Sequence, residues 1–168
     1  MGRTNDMERV TANYNFIDLF AGAGGLSEGF LQAGFKPVAH VEMNEFAART
    51  LEMRSAYYYL KGINNLGLYK KYLSGKISRE EFMKHIPASI TKTIINETMS
   101  EETLPAIFKT IGLVLKYVLE SGAKRVLIAL PASLRKQWEL ELEEKFNLES
   151  VILDRITVEK ERREYGLV

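Results

Sequence analysis

The chain has 168 residues, 46% of them apolar and 27% charged, near the length and usage of one globular domain and far from disordered or collagen-like composition. It contains no cysteine, which excludes disulfides, a thiol nucleophile and Cys-ligated zinc from its own residues and fits a reducing cytoplasm. Net charge is +1, and the stretches on either side of Ala106 are each close to neutral, so charge gives no nucleic-acid footprint for the chain as a whole. No apolar run approaches the ~20 residues of a membrane helix, and the N-terminal MGRTNDMERVTANYN has no apolar core of a secretory signal.

The first strand signal is Asn15 to Phe20, an apolar run broken only by Asp18 and ended by the glycine cluster Gly22, Gly24 and Gly25. Leu26, Phe30 and Leu31 then carry a helical pattern that Gly34 closes as a C-cap. Pro37 opens a short strand, Val38 to Val41, ending on Glu42, and Asn44 is placed to cap a helix through Ala47, Ala48, Leu51 and on toward Leu60. Residues 61–105 contain no strand signal of comparable strength. Ser78 with Glu81 and Thr98 with Glu101 fit the capping box, and Pro87 and Pro105 interrupt the pattern, so the stretch reads as a helical insertion or long crossover. Tyr57, Tyr58 and Tyr59 read as amphipathic packing rather than a base-stacking surface.

After Phe108, Ile111, Val114, Leu115, Val118 and Leu119 form a helical stripe closed by Gly122. Arg125 to Leu130 is continuous and apolar, as in a parallel strand buried on both faces. Pro131 stops it, Ser133 is placed to cap a helix carrying Leu134, Trp138, Leu142 and Phe146, and Val151 to Leu153 is a further candidate strand. The charged tail from Glu159 reads as a solvated helix. The expected class is α/β: a Rossmann-like parallel sheet with flanking helices and a helical insertion.

The segment from Asp18 to Phe30 carries the functional signal. Glycines between a strand and a helix let the backbone turn and approach a ligand, and their amides with the helix N-terminus suit an anionic group. Glu42 stands at the end of the next strand, where a carboxylate can accept both hydroxyl hydrogens of a ribose. The dinucleotide fingerprint needs glycine at 27, and Ser27 is there instead.

Asp18-Leu19-Phe20-Ala21-Gly22-Ala23-Gly24-Gly25, continued by LSEGFLQAGF and VEMNEFAARTL, closely resembles the opening motifs of DNA (cytosine-5) methyltransferases. The resemblance is strongest over residues 14–55 and extends to about 108. It implies S-adenosylmethionine as cofactor and DNA as substrate. It also implies that Phe20 stacks on the adenine, that the turn Ala21, Gly22, Gly24 and Gly25 holds the methionine moiety, and that Glu42 binds the ribose with Met43 packed on the adenine. Asn96-Glu97 is the candidate for a third-motif contact to the adenine amine.

That family adds a cysteine thiol to the base, from a Pro-Cys motif, and none exists here, nor do its Glu-Asn-Val and Arg-x-Arg segments or its base-reading region. No catalytic residue and no metal ligand is therefore assigned, and a C-terminal half or a partner chain is expected to supply the rest. Residues 109–154, with Pro131 to Leu134, Gln137 and Trp138, resemble part of a Swi/Snf-type helicase-like ATPase lobe. Lys109 and Thr110 stand where its phosphate loop would be, but Ile107 and Phe108 replace the glycines such a loop needs. The expected organisation is thus a cofactor-binding half over 1–108, with its insertion at 61–105, and a helix-strand-helix-strand segment over 109–168. A chimeric or truncated chain related to a DNA-dependent helicase-like ATPase, without catalytic activity, is the alternative.

Overall fold

The computed structural model describes residues 14–164; the sequence-based reading of the N-terminal segment and the end of the charged tail lie outside them. In chain order the elements are β1 (Asn15–Asp18), α1 (Gly25–Gln32), β2 (Lys36–Glu42), α2 (Glu45–Gly62), α3 (Leu66–Leu73), α4 (Arg79–Met83), α5 (Ala88–Thr91), β3 (Ile94–Asn96), α6 (Leu104–Glu120), β4 (Val126–Ala129), a 3-10 turn (Ala132–Leu134), α7 (Arg135–Phe146) and α8 (Arg155–Glu164). The four strands form one parallel sheet in the order β3-β2-β1-β4. This is a Rossmann-like α/β arrangement. From β1 the chain steps outward to β2 and β3, then crosses back to β4, so strand order reverses between β1 and β4.

Alternation along the strands divides the sheet into two faces. Ile17, Leu19, Ala39 and Val41 are buried in one core cluster with Ile107, Phe108, Ile111 and Leu115 of α6 and Trp138 and Leu142 of α7. The alternate residues serve the other face, where Phe16 meets Phe30 of α1 with ring centroids 5.0 Å apart. The helix ends follow their sequence signals. Gly34, with φ 88°, terminates α1 as its N–H donates to Leu31 O and that of Phe35 to Phe30 O, and the Phe30 and Phe35 rings pack together. Asn44 Oδ1 accepts the N–H of Phe46 and Ala47 at 3.0 Å each, and Ser78 Oγ that of Glu81 at 3.1 Å.

The region read as a helical insertion is built from α3, α4 and α5 packed on α2 around their own apolar cluster of Ala56, Leu60, Phe82 and Ile86. Tyr59, Tyr69 and Tyr72 pack against it.

Five expectations are corrected. A strand does occur within 61–105: β3, whose His40↔Ile94, Val41↔Ile95 and Glu42↔Asn96 pairing lets a β-branched pair occupy the free edge of β2. Thr98 caps no helix. Its carbonyl instead accepts the Thr103 hydroxyl, and α6 begins at Leu104 with Pro105 in its first turn, where a proline costs no helix hydrogen bond. Ser133 lies inside the 3-10 turn, and α7 starts without a side-chain cap. Residues of β4 are half-buried rather than enclosed, because β4 is an edge strand among the described residues. Val151 to Leu153 forms no strand, and Val151 is 82% exposed. Helix α6 runs unbroken across residues 108 and 109, with Lys109 and Thr110 exposed on it and the Thr110 hydroxyl donating to Ala106 O.

Trp138 closes the main core. It is 2% exposed, its ring centroid lies 4.4 Å from that of Phe108, and its indole N–H finds no acceptor among the described residues, so its contribution is apolar packing. Trp138→Ala is expected to lower stability by ~3–5 kcal/mol, read as a shift in urea midpoint; a midpoint unchanged from the parent chain would contradict this role.

Candidate functional site

The turn after β1 is tied down on both sides. Leu19 N–H donates to Ala129 O of β4 at 3.0 Å and Ala21 N–H to Val41 O of β2 at 3.2 Å. Within the turn, Gly22 (φ 53°) and Gly24 (φ 87°) are left-handed, a conformation that a side chain opposes. Gly24 is also crowded: a Cβ there would lie 2.8 Å from Leu51 Cδ2 and 3.2 Å from Arg54 Cδ, so α2 closes directly over the backbone. Gly25 opens α1 with free space around it, and Ala21 is buried beneath.

Glu42 joins this turn to the following helix. Its Oε2 accepts the Gly22 N–H at 2.7 Å and its Oε1 accepts the Asn44 N–H at 2.7 Å. The backbone carbonyl of Glu42 accepts Asn96 Nδ2 at 2.7 Å and the Glu97 N–H at 3.2 Å, and Asn96 Nδ2 also reaches Met43 O at 3.2 Å. The structure therefore brings together Gly22, Glu42, Met43 and the Asn96-Glu97 pair at the carboxyl ends of β1, β2 and β3. Phe20 and Met43 are large apolar side chains left 47% and 64% exposed beside them. Of the seven residues singled out from sequence, Phe20 also lines a cavity of about 500 Å³ between the ends of β1 and β4, shared with Leu26, Leu130, Pro131 and Trp138. Phe20 thus follows the strand that carries the glycine turn and also walls the cavity beside β4.

Two buried polar residues here carry weight that sequence reading missed. Asp18, 2% exposed, accepts the Ser27 hydroxyl at 2.8 Å, and Ser27 is itself buried in the first turn of α1. The serine that breaks the dinucleotide fingerprint is thus the partner that keeps a strand carboxylate satisfied. The signal was the lone acid inside an apolar strand. His40 lies opposite Asp18 in the β1–β2 ladder, packed edge-on against Phe16 at 5.7 Å. Burial holds its imidazole below the usual histidine range, although the Asp18 charge works the other way. Beneath the turn, Glu28 of α1 accepts hydrogen bonds from Tyr58 and Arg54 of α2. The Tyr58 bond is the main cause holding the Glu28 carboxyl low, and reciprocally pushes the Tyr58 phenol up to about 12.

Residues 14–66 match the family described as C-5 cytosine-specific DNA methylase. The type II methyltransferase M.Bpa9945I of Bacillus paralicheniformis is 54% identical over 57 residues, covering 34% of this chain and 13% of that protein. A DNA-cytosine methyltransferase of Escherichia coli (strain K12) is 32% identical over 80 residues, 44% of this chain and 17% of that protein. The type II methyltransferase M.PspPI of Psychrobacter sp. is 51% identical over 39 residues, 23% of this chain and 9% of that protein. The chain spans less than a fifth of the length of these relatives. No solved structure matches it. The helicase-like resemblance of residues 109–154 is not shown by these relatives, all of which are methyltransferases. Among the described residues no helix is long and apolar enough to cross a membrane.

Two outcomes follow from this geometry. Gly24→Ala should cost about 1–3 kcal/mol, from a strained positive φ and the contact with Leu51, whereas Gly25→Ala, in open helical surroundings, should not destabilise; urea midpoints of the two variants compare them directly. For His40, the unfolded chain binds a proton near pH 6.5 that the folded chain resists. Its stabilising contribution is complete above pH 6.5 and is lost as pH falls from there through the lowered folded value. Stability should therefore drop between pH 7 and pH 5 more steeply in the parent chain than in His40→Gln, and parallel pH profiles would show that His40 is not the group responsible.

Proposed function

We propose, from the match of residues 14–66 to the C-5 cytosine-specific DNA methylase family, that this chain carries the S-adenosylmethionine-binding part of a DNA cytosine-5 methyltransferase and works in the cytoplasm on DNA. The observation that carries the reading is the Glu42 carboxylate, held by the amides of Gly22 and Asn44. A carboxylate offers about four acceptor positions. Two are taken by these amides, which orient the group and leave the others for the hydroxyl hydrogens of a ribose. The left-handed glycine turn is the kind of backbone that admits close approach of a ligand, and a Cβ at Gly24 would fill the space that α2 already crowds.

In this reading the turn from Ala21 to Gly25 holds the methionine moiety. Phe20 and Met43 offer exposed apolar surface to the adenine, and Glu97, whose amide donates to Glu42 O and whose carboxylate accepts the Thr98 N–H, is the candidate partner of the adenine amine. The cofactor supplies an electrophilic methyl group. Cytosine C5 is a poor nucleophile until a group adds at C6, and this chain, with no cysteine in its sequence, brings no thiol to that addition. We therefore assign cofactor binding to these residues, and the addition step and base recognition to residues outside the chain, in a C-terminal half or a partner chain.

Calorimetry with S-adenosylhomocysteine tests the reading. Binding is expected, and Glu42→Ala should weaken it by about tenfold or more, equivalent to ~1.4 kcal/mol per tenfold. Unchanged affinity in that variant would take Glu42 out of the site, and no binding by the parent chain would remove the cofactor assignment. Incubated alone with DNA and methyl-labelled cofactor, the chain should transfer no label; formation of 5-methylcytosine would overturn the division of labour.

A further inference from the structure

The residues from 53 to 79 include six basic side chains (Arg54, Lys61, Lys70, Lys71, Lys76 and Arg79) and not one acidic side chain, in a chain whose net charge is only +1. The rest of the sequence is correspondingly net negative, by five charges. Balance over the whole molecule therefore conceals a strongly polarised one.

Not all six charges are available. Arg54 is paired with Glu28 and Arg79 with Glu52, and Lys61 lies over the Tyr58 ring at 5.9 Å. Lys70, Lys71 and Lys76 remain exposed and have no carboxylate partner among the described residues. The fold gathers them. Lys70 and Lys71 fill the last turn of α3, and Gly75 (φ 70°) turns the chain back so that the Lys76 N–H donates to Lys71 O at 3.0 Å. The C-terminus of a helix carries only about half a negative charge, far less than three ammonium groups. Beneath them Leu60 of α2, Phe82 of α4 and Ile86 after it form a small apolar cluster with Tyr69 and Tyr72 of α3 packed on it, so the lysines stand on a packed base and the tyrosines are spent on its interior.

We propose that this lysine-bearing end of the helical insertion is a contact surface for the phosphate backbone of duplex DNA, separate from the cofactor cradle. The choice of DNA as the polyanion rests on the proposed function; the existence of the surface rests on the charge and its placement. Lysine ammonium groups act on phosphates as point charges and carry no base information. The position agrees with that role. Arg79 pairs with Glu52 and the Tyr69 ring packs on Tyr57, so α3 runs back along α2 and the lysines stand beside its middle turns, on elements that contribute nothing to the Glu42 turn.

Fluorescence anisotropy with a labelled duplex of arbitrary sequence, titrated over a range of salt, tests this on the whole chain. Three phosphate contacts contribute about −2.7 to the slope of log affinity against log salt. The variant carrying Lys70→Gln, Lys71→Gln and Lys76→Gln should lose that part of the slope and bind about tenfold or more weaker at low salt. A control with Lys109→Gln, Lys116→Gln and Lys124→Gln, three exposed lysines elsewhere, should bind like the parent. Thermal melts check that both variants fold. S-adenosylhomocysteine calorimetry on the same proteins reads the cradle separately, and the insertion variant should keep the parent affinity there. Absence of duplex binding by the parent chain, equal slopes in parent and insertion variant, or binding of the parent to anionic lipid vesicles but not to duplex would each overturn the proposal.

Discussion

One carboxylate organises the N-terminal part of the molecule. Glu42 ends β2, and its two oxygens take the amides of Gly22 and Asn44, so one side chain fixes the glycine turn and the start of α2 together. Without it the turn would keep only its tethers to Val41 and Ala129, and the left-handed glycines would lose the acceptor at which the Gly22 amide points. The same residue presents its backbone carbonyl to Asn96 and Glu97, which brings β3 into the site. Three strand ends are thereby held around one residue, by its carboxylate on one side and its backbone carbonyl on the other.

Satisfied burial on the α1 face supports that arrangement. Asp18 would be a costly group inside the sheet without the Ser27 hydroxyl, and His40 next to it remains tolerable as a neutral ring. The opposite face is simpler: Ile17, Leu19, Ala39 and Val41 against α6 and α7, with the tilted Trp138 and Phe108 rings packed into one apolar cluster. Polar chemistry lies on one side and bulk packing on the other. Mutations of the packing face should therefore act through stability, and those at the strand ends through binding.

The parts of this fold that were legible in sequence are those whose determinants are local. The glycine turn, the Gly34 and Gly122 helix ends, the Asn44 and Ser78 caps and the α6 stripe all follow from residues within a few positions of one another. The parts that were not legible depend on distant partners. Strand β3 is three residues long and exists because β2 offers a free edge. Val151 to Leu153 has strand composition but pairs with no strand among the described residues. Thr98 and Ser133 match cap signatures, yet the Thr98 carbonyl binds the Thr103 hydroxyl and the 3-10 turn starts one residue before Ser133. At the site, Glu42 and Gly22 were legible as a pair of types at the ends of two strands. The Asp18–Ser27 bond was not, because only tertiary structure shows that a fingerprint mismatch is a hydrogen-bond partner.

The topology also explains why family likeness concentrates where it does. A doubly wound sheet places ligands outside the carboxyl ends of its strands, where the strand order reverses, here between β1 and β4. The Glu42 cradle lies on the β1–β2 side of that point and is complete within the segment of residues 14–66, apart from Asn96 and Glu97 on β3. The β4 side is different in kind: a half-buried edge strand, a 500 Å³ cavity that Phe20 shares with Pro131 and Trp138, and exposed Val151 and Leu153. Phe20, just after the residues of β1, is the site residue that reaches the β4 side. In the proposed reading the cofactor-holding residues are therefore local to the β1–β2 side, where Glu42 ties the glycine turn to α2.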